Sequence, residues 1–443
     1  MLSVPGLAGT GGRIRSAAEQ LAQQRWAAPI ALGFVALYSA YARLFRLGAS
    51  RSLIFDETYY VNAARRILGW HVAAGSHYAL APAGADPNSE HPPLGKLFMV
   101  VGMRLFGDNP LGWRFGSIIA GTAAIVAMYA MARAAHASKG LALAAAAVMA
   151  LDNLFLVHAR IATLDVYVLA FGLVAATAYL RGHPLVAGAV LGVGACTKLF
   201  AFYIPVVLFA FEAGRLIRGR CERADPWRTA AAAAARRLVI FVAVGVGVYL
   251  LVLQGLDLVV RPYDPNNNVY FSNALSHTAH MLRFAADQRS PHGPTGIASY
   301  PWQWFLNEKQ IDYLTVTRTV SVGGVVSHHT LLAFRGAMNP FIIFLAAPAL
   351  AVAAVGAVAR EGEDVDLLSV SWVLGIFTPL LLQSVLDQRT SYLYYMLLVM
   401  PGIYLASAAF FARSGVPRAA GVGWAVGLTA AFFATFPIRS WPL

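Results

Sequence analysis

Eleven apolar runs divide this chain, most of them close to the length that crosses a bilayer. They are Trp26–Leu47, Leu111–Met131, Leu141–Val157, Val166–Leu180, Pro184–Ala195, Leu199–Phe211, Leu238–Leu256, Pro340–Val358, Leu367–Leu386, Tyr392–Phe411 and Ala420–Phe436. A full helical span takes about 20 residues. A chain that is 58% hydrophobic and only 12% charged, with a mean hydropathy of +0.60, cannot be an ordinary water-soluble domain. The expected fold is an all-α polytopic membrane protein with about 11 transmembrane helices packed in one bundle. Leu94–Phe106 is apolar but short, carries Lys96 and Arg104, and follows two prolines, so it reads as an interfacial helix rather than a span.

Charge placement orients the bundle. The formal net charge is +13, but the basic residues sit mainly in short segments between apolar runs, where arginine anchors to anionic headgroups. Nucleic acid is therefore not an expected partner; the lipid bilayer is. Arg215, Arg218, Arg220, Arg223, Arg228, Arg236 and Arg237 crowd one loop, which the positive-inside rule holds in the cytoplasm. That parity places the amino terminus inside. It sends the first loop, Asp165, Lys198, the long loop after Asp257 and the Asp387-Gln388-Arg389 turn to the opposite, periplasmic face of an inner membrane. Cys196 and Cys221 form neither a disulfide framework nor a metal motif.

Four regions follow: a cytoplasmic tail over 1–25, an amino-terminal transmembrane catalytic module over 26–256 that includes the outer loop 48–110, a long outer loop over 257–337, and carboxy-terminal helices over 338–443. Phe271–Ala286 within the long loop reads as an amphipathic helix lying on the surface, and Thr58–Leu68 as a short helix in the first loop.

Ionisable groups concentrate between Ile54 and Lys96. Asp56 and Glu57 stand at a membrane boundary among Phe55, Tyr59 and Tyr60, where partial desolvation and a neighbouring carboxylate raise a carboxyl pKa. Adjacent side chains diverge, so Asp56 is assigned the general base and Glu57 the orientation of that base or of an acceptor. Lys96 follows Pro92 and Pro93 at a helix start, a place that favours phosphate. Lys198 interrupts two short apolar runs and is costly there unless it lines an aqueous or phosphate pocket. Arg160 and Arg389 are further candidate phosphate ligands; His91, Arg114, Asp165, Trp302 and Tyr394 are pocket or structural candidates. Asp56 and Asp165 would be the ligands if a divalent metal were held. Without regularly spaced histidines that set is thin, and no cofactor is required.

These pieces resemble a known family. Phe55-Asp56-Glu57 with Tyr59, His91-Pro92-Pro93-Leu94-Gly95-Lys96-Leu97, Arg114-Phe115, Ala159-Arg160-Ile161 with Leu164-Asp165, Pro301-Trp302-Gln303-Trp304, and Arg389 with Tyr392-Leu393-Tyr394-Tyr395 are similar, in order, to the protein O-mannosyltransferases. More distantly they resemble the lipid A aminoarabinose transferases. The resemblance implies a GT-C type glycosyltransferase bundle that takes a sugar from a polyprenyl-phosphate donor and passes it, with inversion, to Ser or Thr hydroxyls of exported polypeptides. It implies Asp56 as the catalytic aspartate, Glu57 as its companion, Arg114 as a family arginine, and Lys96 as the donor-phosphate lysine of the aminoarabinose transferases, in which Asp56 and Asp165 match metal ligands. Two departures stand out. Phe305 follows Trp304 where the family has a proline, and the long loop is too short for an inserted soluble domain. The alternatives are transfer to a lipid or cell-envelope glycan on the same scaffold and, from a different class, a secondary transporter with broken helices.

Overall fold

A computed structural model of the chain describes residues 26–220, 227–322, 325–359, 362–413 and 415–437. The expected tail and the middle of the arginine-rich loop lie outside them. Among the described residues seven helices are long and apolar enough to cross a membrane: Ala27–Leu44, Pro110–Ala134, Leu199–Gly219, Trp227–Val259, Pro340–Val358, Asp364–Leu386 and Leu393–Ala412. Four shorter apolar helices, Lys139–Ala150, Asp165–Leu180, Pro184–Ala195 and Arg418–Ala434, complete an all-α polytopic bundle. The chain is a multi-pass membrane protein.

Burial ranks the helices by position. Leu393–Ala412 is 83% buried and runs through the centre, whereas Ala27–Leu44 is 17% buried and turns Phe34 and Leu37 outward at the rim. Lipid replaces water around such a rim, so an apolar outer surface carries no penalty. Pro184–Ala195 reaches the long Trp227–Val259 helix through glycine. A Cβ on Gly188 would meet the Phe241 carbonyl oxygen at 2.6 Å, and one on Gly192 would meet that of Gly245 at 2.6 Å. Four-residue spacing of such residues lets two membrane helices approach backbone to backbone.

One expected span is broken. Leu141–Val157 divides into Lys139–Ala150 and the short helix Asn153–His158. Asp152 causes the break, because its carboxylate accepts from the Asn339 N–H at 2.8 Å and the Tyr404 hydroxyl at 2.6 Å. A buried carboxylate with partners on two other segments holds the chain more firmly than one further helical turn. Asn339 in turn caps Pro340–Val358 by accepting from the Phe341 N–H, and its amide donates to the carbonyls of Leu151 and Leu428.

The loops on the cavity side are built rather than loose. Short helices span Glu57–Ile67 and Leu94–Phe106, the second with the bounds expected of the interfacial helix, and Ala274–Asp287 supplies the amphipathic helix. Asp86 ties the first loop to the long one, its N–H donating to Arg261 O and its carbonyl accepting from the Tyr263 N–H, both at 2.9 Å. A hairpin of Ile311–Val322 and Val325–Gly336, paired antiparallel with Ile311 opposite Gly336, was not foreseen. The β-branched run Thr315-Val316-Thr317 was its signal.

Candidate active site

Asp56 and Glu57 are neighbours with opposite environments. Glu57 opens the helix Glu57–Ile67, is fully buried, and accepts from Arg114 Nε at 2.7 Å and Nη2 at 2.8 Å. The backbone N–H groups of Ile54 and Ala162 donate to the same carboxylate, each at 2.8 Å. Arg114 also donates to Leu47 O at 3.0 Å. A bidentate pair with its remaining positions filled is a fixed joint between three segments. Glu57 therefore faces away from the cavity, and its orientation of Asp56 is exerted through the backbone rather than by touching an acceptor.

Asp56 faces the other way, into a cavity of about 650 Å³. Tyr60, Asn88, Glu90, His91, Lys198, Arg389 and Tyr394 share its walls. Phe55, the residue before Asp56, has φ of 56°, a region that bulky L-residues rarely adopt. Its ring lies 4.3 Å from that of Tyr313 and 5.6 Å from that of Tyr394, which hold the strained residue in place. Strain held by packing beside an ionisable cavity residue is a mark of a working site. Burial pushes the Asp56 carboxyl up to about 7, with the Lys198 ammonium opposing the shift and Asp165 reinforcing it. Burial also holds His91 well below the usual histidine range, and Lys198, Lys96 and Arg389 add to that effect, so the ring is neutral.

The basic residues divide into two groups. Lys198 and Arg389 are the two lysine or arginine side chains among the described residues lining the cavity. Lys198 Nζ lies 2.8 Å from Asp165 Oδ1 and within 6 Å of the Tyr394 and Phe200 rings. Arg389 donates through Nη1 to Ala285 O and leaves Nε unpaired. Lys96 does not reach the cavity. It is fully buried, 2.6 Å from Asp86 Oδ2, and donates to the carbonyls of Asn88 and His91 at 2.5 and 2.9 Å. A lysine so neutralised moulds the loop bearing Glu90 and His91, in place of the phosphate contact expected from its helix-start position. Arg160 is likewise spent elsewhere, donating to Ala42 O and Phe45 O at the end of the first helix and packing over Phe334 and Phe436.

The Asp56–Asp165 pair is a thin set for a divalent ion, although Asp165 Oδ2 is buried without a hydrogen-bond partner. Lys198 already occupies the cationic place beside Asp165, and among the described residues no three His, Cys, Asp or Glu side chains converge. Two residues not singled out in the sequence pack behind the cavity wall: Tyr313, its ring 4.3 Å from that of Phe55 and its hydroxyl 2.8 Å from His158 Nε2, and His158 itself, 5.5 Å from the Tyr394 ring. Trp302 lies outside this cavity, half-exposed and stacked on Tyr300.

The cavity thus joins a poised carboxylate, two cations and an aromatic wall at one end of a membrane bundle. Residues 90–251 match the family model described as dolichyl-phosphate-mannose-protein mannosyltransferase. The polyprenol-phosphate-mannose–protein mannosyltransferase of Corynebacterium glutamicum is 33% identical over 153 residues, 33% of this chain and 28% of that protein. Its counterpart in Mycolicibacterium smegmatis is 24% identical over 429 residues, 84% of this chain and 79% of that protein. The chain is related to the protein mannosyltransferases.

Solved structures agree on the fold. The S. cerevisiae protein O-mannosyltransferase Pmt1-Pmt2 complex bound to the sugar donor superimposes with a TM-score of 0.68 at 11% identity, over 94% of this chain and 90% of that one. ArnT from Cupriavidus metallidurans bound to undecaprenyl phosphate gives 0.54 at 19% identity, over 91% of this chain and 63% of that one. The bundle is a GT-C fold.

Proposed function

We propose that this chain transfers a mannosyl residue from a polyprenyl phosphate to Ser or Thr hydroxyls of exported polypeptides. The observation that carries the reading is the placement of Asp56 in one cavity with Lys198 and Arg389. The relatives named above supply the donor and acceptor classes. The acceptor hydroxyl gives its proton to Asp56 as its oxygen attacks the anomeric carbon on the side opposite the phosphate. The bond from that carbon to the phosphate oxygen breaks, and the polyprenyl phosphate leaves with its electron pair beside Lys198 and Arg389. Charge appears there in the transition state, so fixed cations stabilise it most at that moment. No general acid is needed for such a leaving group, and a single displacement inverts the centre, turning a β-linked donor into an α-linked product.

Purified enzyme incubated with a panel of polyprenyl-phosphate sugars and a Ser/Thr-rich peptide tests the reading by mass spectrometry. A hexose added to the peptide only from the mannosyl donor supports it. Bare peptide alongside a modified lipid or envelope glycan moves the acceptor to the second class. Within the same reading, Lys198→Gln is expected to raise the donor KM by about 10–100-fold, the range for a lost hydrogen bond between charged groups. An unchanged KM would transfer the phosphate to Arg389.

The proposed orientation has the cavity on the extracytoplasmic face of the inner membrane and the amino terminus in the cytoplasm. Leu80, 99% exposed in the first loop, and Lys139, exposed at a helix start, are suitable reporters. In a cysteine-free background, Leu80→Cys is expected to react with an impermeant thiol reagent on intact cells, and Lys139→Cys only after permeabilisation. The reverse pattern would invert the molecule.

A further inference from the structure

A second cavity, about 340 Å³, adjoins the first and shares Arg389 and Thr390 with it. Its dividing wall is held on both sides. Thr390 N–H donates to Gln288 O at 2.9 Å, Ser290 N–H to Gln388 O at 2.8 Å, and Ser299 N–H to Ser391 O at 2.9 Å. The hydroxyls of Ser290 and Thr390 close the same seam at 2.7 Å.

The two tryptophans of Pro301-Trp302-Gln303-Trp304 have been given different places. Trp304 is fully buried and donates its indole N–H to Ser299 Oγ at 2.9 Å, fixing the short helix to the wall. Trp302 lines the second cavity and is 51% exposed. One face of its indole is covered by the Tyr300 ring, 4.3 Å away and tilted by 11°, which leaves a braced aromatic platform with its other face uncovered by any ring contact among the described residues. Pro291 and Pro294 add rigid apolar wall, and Arg389 is the one charged residue among the lining residues described. Large, rigid aromatic surface with little net charge suits an uncharged ring, and aromatic-lined grooves take prolyl segments because an already extended chain loses little entropy on binding.

Resting on the proposed transfer to a polypeptide, we infer that the second cavity is an acceptor subsite. It receives a proline or aromatic residue of the acceptor, a few positions along the extended chain from the hydroxyl presented to Asp56, and Trp302 is its platform. The shared border carries the choice of occupant: Arg389 and Thr390 line both cavities, so a chain that leaves the first across that border brings its flank to the second. Acceptor selection then depends on a residue that takes no part in the bond changes.

The test uses full-length enzyme in nanodiscs with polyprenyl-phosphate mannose and peptides bearing one Thr, with proline, phenylalanine or alanine scanned through the flanking positions. Wild type is expected to favour one proline- or phenylalanine-flanked register over alanine by ~3–10-fold in kcat/KM, mainly through KM, the range of an aromatic contact. Trp302→Ala is expected to bring that ratio close to one, Trp302→Leu likewise, and Trp302→Phe to keep part of it. Because the readout is a ratio within each variant, a fall in folded protein does not imitate it. A ratio untouched by Trp302→Ala and Trp302→Leu would overturn the inference and leave Trp302 as a membrane-interface anchor. Failure of wild type to modify any peptide would instead remove the polypeptide reading beneath it.

Discussion

Asp56→Asn is expected to slow single-turnover transfer by about 10²–10⁴-fold at saturating donor and peptide, the usual contribution of positioned proton transfer. Amide and carboxylate have nearly the same shape, and Asp56 carries no ion pair whose loss would disturb the fold among the described contacts. The same residue sets the pH profile. Burial raises its carboxyl to about 7, so it is protonated, and unable to accept a proton, at lower pH. Wild-type kcat/KM should therefore climb about tenfold per pH unit up to about 7 and level off above it. Asp56→Asn should lose that limb. A variant rate within threefold of wild type, or an acid limb retained in Asp56→Asn, would take Asp56 out of the chemistry.

Glu57→Gln is expected to fail in another way. It removes the negative charge that Arg114 meets at 2.7 Å while leaving a guanidinium that is 1% exposed. Breaking one side of such a buried pair costs about 3–5 kcal/mol, because the other charge remains uncompensated. Thermal unfolding in detergent should report the loss, together with a smaller yield of monodisperse enzyme. The protein that does fold should retain the acid limb near pH 7 that distinguishes it from Asp56→Asn. Replacing both partners, as Glu57→Leu with Arg114→Leu, should cost less than breaking the pair. An equally severe double variant would mean that the backbone N–H groups of Ile54 and Ala162, not the guanidinium, are what Glu57 chiefly serves.

The sequence made the bundle legible because bilayer length and apolar runs are local properties. The short helix Leu94–Phe106 was readable for the same reason: its bounds and its length lie within it. The divergence of Asp56 and Glu57 also followed from adjacency alone. What local reading missed is which charges find one another. Glu57 meets Arg114 across 57 positions and Lys198 meets Asp165 across 33, so an arginine at a span entrance and a lysine between two runs look alike until the chain is folded. Lys96 shows the effect most plainly. Its place at a helix start favours phosphate, but Asp86, ten residues back across a proline-rich loop, arrives first. The hairpin carrying Tyr313 was missed although Thr315-Val316-Thr317 gave a local strand signal.

One helix length has a kinetic consequence. Pro184–Ala195 has 12 residues, which at about 1.5 Å each is well short of the ~30 Å hydrocarbon thickness. In the proposed orientation a helix that starts at the opposite surface ends inside the slab, and Lys198 follows three residues later. Under the proposed function a lipid-borne phosphate would meet that lysine without being lifted from its own leaflet, while the hydroxyl would arrive through water. The donor's search is then two-dimensional: encounter frequency follows how many donor molecules share the leaflet, not how many share the volume. Diluting the same amount of donor with inert phospholipid slows the enzyme, whereas diluting the vesicles with buffer leaves that step untouched.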